Sequence, residues 1–263
     1  MNQANLQDGT PVFCLRKRDA YMLDARIDSY LQHGIFFEEH DIIFDVGTNI
    51  GIFGIRAFQR HRAVRVFAFE PIPAVYEVLK ANAAKFGGKQ FHAINCALSS
   101  HSNEQTFTYY PTAPAFTTAY AYEWDSHPTE FQRAIEGHLR TAPKLHRLLP
   151  PRLVSSLVAN SMRSKAQQLR CPTHTISEMI RQHGLPRIDL LKITSEGAEL
   201  EVLRGIAPEH WIKIRKFVIQ VRDIDGRLET IKQLLISKNV SNITTEQEKG
   251  FEKSNLVNLF AYR

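Results

Sequence analysis

The run KITSEG sets Lys192, Thr194 and Glu196 at alternate positions, after the mostly apolar residues 188–191 and before a helical pattern over residues 198–204. A parallel sheet keeps its chemistry where a strand ends and its helix begins. A lysine there can orient an acceptor oxygen or, if desolvated, act as a base, and a glutamate can take a proton. Each also has a plainer use, Lys192 in an ion pair and Glu196 as an acid at a helix N-terminus. Thr194 occupies the strand tip, where a working carboxylate is expected, and is neither acid nor base.

A second cluster, FDVGTNIGIFG, places Asp45, Gly47, Asn49 and Gly51 at another strand-to-helix turn. Glycines let a ligand approach the backbone, and a helix N-terminus favours an anionic group. The pattern departs from the dinucleotide fingerprint: an acid precedes the first glycine and asparagine replaces the second. A carboxylate beside that spot repels phosphate and suits an ammonium. S-adenosylmethionine carries an ammonium and a carboxylate and no phosphate. Glu70 follows at the end of the next β-rich run, where a carboxylate accepts both ribose hydroxyls of such a cofactor. Without a G-K-[ST] ending, phosphate-loop chemistry is excluded. A bare tight turn is the plainer alternative.

The elements that must carry these residues alternate. IIFDV, RVFAFE, FHAIN, IDLLKI and KFVIQV read as strands, most of them followed by a helical pattern. This predicts an α/β, doubly wound, mostly parallel sheet with crossover helices in one domain over 1–263. NVSNITTEQ and NLVNLFAYR predict a C-terminal antiparallel hairpin at the sheet edge. Residues 1–38 are expected to form an N-terminal helical cover, with a helix from about residue 17 that stops at Gly34. Residues 109–173, rich in proline, predict a helical lid insertion.

The composition narrows the classes. With 263 residues and 43% hydrophobic content the chain can bury a full core. Cys14, Cys96 and Cys171 are too scattered for a disulfide framework or a zinc site, and no metal is expected. The polar start and the lack of a long apolar run predict a cytoplasmic protein with no membrane association. The formal charge is +6, and residues 127–170 hold an equal local excess, eight lysines and arginines against Glu130 and Glu136. Such a stretch can attract an acidic partner, or be a solvated helical face. Nucleic acid is not expected as a partner, because neither an aromatic-interleaved basic strand nor an N-P-P-Y motif is present.

Together, YLQHGI, FDVGTNIG, FAFEPIP with KAN, INCALSS, IDLLKITSEGAELEVLRGI and VIQVRDIDGRLETIKQLL resemble the FkbM-type S-adenosylmethionine-dependent methyltransferases, of the kind associated with polyketide and nonribosomal peptide synthases. The resemblance runs from about residue 20 to the C-terminus and is weakest over 110–172. It implies a Rossmann-like class I methyltransferase sheet and O-methylation of a hydroxyl or acidic oxygen on a natural-product intermediate, carried on an acidic acyl carrier protein. It also implies that Asp45, Gly47, Asn49 and Gly51 hold the methionine part of the cofactor and Glu70 the ribose. Asn95, Ala97 and Leu98 then lie along the adenine, with Tyr30 and His33 over the methyl group or the acceptor. Tyr30 equally fits core packing, and His33 a helix end.

The departures gather at the chemical end. The family run is K-I-D-x-E-G, with aspartate where Thr194 stands, and its fifth strand ends E-x-H, where this chain has Gln220 and Arg222. The candidates left for catalysis are Lys192, Glu196 and His33. The rival reading is a catalytically inactive pseudo-methyltransferase that serves as a structural or docking domain in a synthase.

Overall fold

The structure is a computed structural model that describes residues 1–140, 151–247, 251 and 254–263. The polar opening forms a hairpin, β1 (Asn2–Asn5) and β2 (Pro11–Cys14), closed by a turn with Gly9 at φ 84°. Ala4, Leu6, Val12 and Cys14 face inward, so an apolar alternation hides within a polar composition. The expected helical cover therefore begins as sheet. Its helix is also divided, into α1 (Lys17–Ala25) and α2 (Ile27–Tyr30), and ends before Gly34. Asp24 is drawn into the interior near the break. Its Oδ1 accepts from Arg56 Nε and Nη2 (2.9 and 2.6 Å), and its Oδ2 accepts from the Gln7 backbone N–H (3.0 Å).

From there the chain alternates: β3 (Ile42–Val46), α3 (Ile52–Arg60), β4 (Arg65–Phe69), α4 (Pro73–Phe86) and β5 (Phe91–Ile94). Next come β6 (Ala97–Leu98) and β7 (Asn103–Tyr109), then α5 (Ala121–Ser126), α6 (Pro128–Arg140) and α7 (Pro151–Ser164). The chain closes with β8 (Gln167–His174), α8 (Ile176–Gln182), β9 (Ile188–Ile193), α9 (Glu199–Arg204), β10 (Ile214–Arg222), α10 (Arg227–Ser237), β11 (Asn242–Gln247) and β12 (Leu256–Tyr262).

Seven strands form the main sheet in the order β11-β12-β10-β9-β3-β4-β5. The five from β10 to β5 are parallel, and β12 runs antiparallel to both β10 and β11. This is the class I Rossmann-like methyltransferase fold, with the hairpin seated as its sequence predicts. Both faces are covered. Ile43 packs in a layer with α3, α4 and the N-terminal hairpin, and its neighbour Phe44 in a layer with α8, α9 and α10. That explains why the apolar residues of β3 and β9 do not alternate with exposed polar ones: both strands are buried along their whole length, Asp45, Asp189 and Lys192 included. Successive strands diverge to opposite sides of β3, so the crevice of this topology opens at the carboxyl ends of β3 and β9.

A second sheet, ordered β6-β8-β7, lies over that end. β7 and β8 are antiparallel, pairing Asn103 with Thr173 and Tyr109 with Gln167. The insertion is therefore residues 110–166 on a two-stranded stem, and residues 167–173, counted in the helical lid from the sequence, are strand. Phe116, Phe131, Ile135 and Met162 give it a small core of its own. Within the basic stretch, residues 141–150 lie outside the described residues. Among the described residues no helix is long and apolar enough to cross a membrane, and no group of three metal-ligating side chains is found.

Candidate cofactor and acceptor site

The turn after β3 depends on glycine at two points. Gly47 has φ 71°, and a Cβ there would come 2.2 Å from the Thr194 carbonyl oxygen. The β3 and β9 tips touch at this point: Thr194 N–H donates to Val46 O (3.0 Å), and its hydroxyl lies 3.1 Å from Gly47 O. Gly51 has φ 86°, and a Cβ there would meet Leu79 at 2.7 Å, so this glycine lets α3 pack on α4. Asn49 takes φ 55°, which asparagine tolerates better than most residues. Buried Asn82 braces the turn, donating from Nδ2 to Ile50 O (2.8 Å) and Phe13 O (3.0 Å) and accepting from the Phe13 N–H (2.9 Å).

Beyond the turn lies a cavity of about 1040 Å³, counting its open side. Gly47, Thr48, Asn49 and Glu70 border it, and Pro71, Ala97 and Leu98 form an apolar wall next to Glu70. Glu70 Oε2 accepts the Asn49 N–H (3.1 Å) and Oε1 the Ile72 N–H (3.0 Å). Burial pushes its carboxyl up to about 7, against the pull of those two backbone donors and with a further push from Asp45. Asn95 is set behind this wall, donating from Nδ2 to the carbonyls of Glu70 (2.8 Å) and Pro71 (3.0 Å). It shapes the strand end and does not border the cavity.

Asp45 is displaced from the role its position suggests. It is fully buried beneath the turn, with Oδ1 2.6 Å from Lys192 Nζ and Oδ2 2.5 Å from Thr48 Oγ. The cation expected at Asp45 is thus supplied from within the chain. Lys192 Nζ also donates to Thr194 Oγ (2.9 Å) and lies over the rings of Tyr30 and Phe53, 5.4 and 5.3 Å from their centroids. Thr194 is no empty position: its hydroxyl joins the Lys192 ammonium to the carbonyls of the glycine turn.

The far end of the cavity is built from three places. The N-terminal helices bring Ile27 and Tyr30, β7 and the insertion bring Gln105, Phe107 and Thr117, and the β9 and β10 tips bring Glu196 and Gln220. Gln220 Nε2 is 3.4 Å from the Tyr30 hydroxyl and 3.2 Å from Asn258 Oδ1, so it ties the cover to the sheet. Lys192, Thr194, Glu196, Tyr30 and Gln220 thus share one cavity. His33 stands apart: its Nε2 lies 2.8 Å from Glu246 on the edge strand β11 and its ring lies against Phe260. It borders no part of the cavity, because the break at Arg26 and the end of helix at Tyr30 turn the chain away. Arg222 is buried behind the Glu196 turn, held to Glu123.

Sequence reasoning passed over Thr48, Asn82, Gln105, Phe107, Thr117 and Glu123. Alternation along residues 103–109 could have marked Phe107, but Glu123 carries no local signal.

A family model described as Methyltransferase FkbM domain matches residues 45–248. The chain is 30% identical to 31-O-demethyl-FK506 methyltransferase FkbM of Streptomyces tacrolimicus, over 89% of this chain and 85% of that protein. It is 29% identical to Methyltransferase sdnD of Sordaria araneosa, over 87% and 88%. AMB antimetabolite synthetase AmbE of Pseudomonas aeruginosa is 29% identical over 89% of this chain, a match that spans 11% of that protein. Among solved structures, M. capricolum TrmK in complex with S-adenosyl-homocysteine aligns with a TM-score of 0.45 and 14% identity, over 92% of this chain and 69% of that one.

Proposed function

The chain belongs to the FkbM methyltransferase family, and from that membership we propose that it transfers a methyl group from S-adenosylmethionine to a hydroxyl or acidic oxygen of a natural-product intermediate. The observation that carries the cofactor half is Glu70. Its carboxylate borders the cavity one strand away from the glycine turn, with one backbone donor on each oxygen and further lone pairs to accept two ribose hydroxyls. Gly47, Thr48 and Asn49 border the cavity at the turn, and their backbone gives the cradle for the methionine part. Pro71, Ala97 and Leu98 offer an apolar bed for the adenine. The donor set and the cradle fit this cofactor. When bound, it supplies a methyl group already activated on a sulfonium.

The chain's own task is then positioning and proton handling. Holding the acceptor in line replaces an encounter by a fixed geometry, which is worth several orders of magnitude in rate. Tyr30, Phe53 and Phe107 keep water from the reacting end. Glu196 receives the acceptor proton at its carboxylate, and the Lys192 ammonium, anchored on Asp45 and Thr194, steadies the negative charge that builds on the acceptor oxygen.

The acceptor class is supported by the relatives, one named for a 31-O-demethyl-FK506 substrate and one for an antimetabolite synthetase. The basic stretch supports an acidic acyl carrier protein as the vehicle for the intermediate. Removing its charges should weaken carrier binding, and unchanged binding would defeat that part. Three buried free thiols fit a reducing, cytoplasmic setting.

Calorimetric titration with S-adenosylmethionine and its demethylated product tests the cofactor reading. Micromolar binding in the intact protein, lost or at least tenfold weaker in Glu70→Gln, is the expected result; no binding at millimolar cofactor defeats it.

A further inference from the structure

The side chains of the acceptor end are held by a buried charge cluster that the proposed chemistry does not use. Glu123, on α5 of the insertion, meets two arginines of the main sheet side. Its Oε2 is 3.0 Å from Arg222 Nη2 and its Oε1 is 2.5 Å from Arg227 Nη2. Arg222, fully buried at the end of β10, donates from the same Nη2 to the Glu196 carbonyl (2.5 Å). Arg227 donates to the Arg222 carbonyl (2.8 Å) and lies 4.0 Å from Glu199, whose other oxygen accepts the Gly197 N–H (2.7 Å).

The Glu196 carbonyl is a junction. It also accepts the hydroxyl of buried Thr118 (2.7 Å), which follows the cavity residue Thr117 in the insertion. One oxygen therefore receives the sheet through Arg222 and the insertion through Thr118. The turn is shaped for this: Glu196 is left-handed at φ 49°, and Gly197 has φ 105°, with a Cβ position 2.2 Å from Arg222 Nη2 and 3.2 Å from Glu123 Oε2. A glycine is needed where the guanidinium passes.

We propose that Arg222 is the positioning residue of the acceptor end, holding the Glu196 turn and, through Glu123, fastening residues 114–126 of the insertion over the cavity. This rests on the methyl-transfer reading for its purpose and stands on its own geometry. An ion-paired contact suits a wall that must open for exchange of ligands, because its charges can be taken up by water, whereas an apolar seam would expose hydrocarbon each time. Arg222 acts through Glu196 and Glu123 and does not itself border the cavity.

The test uses the intact protein with Arg222→Lys, Arg222→Gln, Glu123→Gln and the double variant Arg222→Gln/Glu123→Gln, which removes both charges if the single arginine loss fails to fold. Hydrogen exchange should quicken about tenfold or more across residues 114–126 in the Gln variants, less in Arg222→Lys, and stay unchanged at residues 45–52. With S-adenosylhomocysteine as the probe, association and dissociation rates should rise together, leaving the dissociation constant within about twofold, as opening a gate requires. Unchanged protection at 114–126 in the folded variants overturns the proposal. So does a weakened dissociation constant with an unchanged association rate, which marks damage to the cofactor half alone. If the unaltered protein binds no S-adenosylhomocysteine, the methyl-transfer reading fails while the exchange measurement still decides the role of Arg222.

Discussion

At the scale of single residues the site is set by close approach and by charge. Gly47→Ala would force a left-handed alanine against a backbone oxygen, so we expect a loss of at least about 2 kcal/mol in denaturant unfolding and no detectable cofactor binding by calorimetry. Glu70 makes a pH-dependent contribution of calculable sign. Its folded carboxyl titrates near 7, above its ordinary 4.5, so the cofactor-free fold holds that proton more tightly than the unfolded chain. The resulting stability is fully present below about pH 4.5 and is lost as pH rises to about 7, at most about 3 kcal/mol. Subtracting the stability curve of Glu70→Gln from that of the unaltered protein should reveal this slope; a flat difference would show that the carboxyl titrates normally. Cofactor affinity should run the other way, rising through the same interval, since the ionised form accepts two hydroxyls. FDVGTNIG and Glu70 were legible in sequence because a positive φ and a strand end are local properties. The setting of Asp45 was not, for Lys192, which neutralises it, lies 147 residues away.

At the scale of elements, the N-terminal hairpin is coupled to the glycine turn through α4. Asn82 holds β2 at Phe13 and the turn at Ile50 with one side chain. Asn82→Ala leaves buried backbone groups without partners and should cost about 2–4 kcal/mol. The same change should quicken hydrogen exchange at both residues 11–14 and 48–52; quickening at only one of them would sever the coupling. The hairpin itself was hidden from the sequence because its strands are short and the first is mostly polar, and only its packing on α1 and α4 makes the alternation at Ala4, Val12 and Cys14 meaningful. The main-sheet strands were readable for the opposite reason, being apolar on both faces. His33 fell outside the cavity because its position depends on where the leading helix ends, and helix ends follow tertiary contacts such as Asp24 with Arg56.

At the scale of the whole molecule, the cavity joins the cover, the sheet tips and the insertion, so a ligand in it should stabilise all three together. A cofactor at a hundred times its dissociation constant adds about 2.7 kcal/mol, which for a chain of this size raises Tm by roughly 5–10 °C. Scanning calorimetry with and without cofactor checks this, and Glu70→Gln should abolish the shift. The amino-acid sequence by itself determined the mostly parallel α/β class, its C-terminal hairpin, the glycine turn and the acid after the second strand, because these follow from periodicity and from backbone demands that act over a few residues. Only the tertiary structure decided that Lys192 meets Asp45, that Thr194 bridges two strand tips, and that Arg222 is engaged with Glu123 of the insertion. Those pairings join residues far apart in the chain, and a charged side chain acquires its role from the partner that burial brings to it.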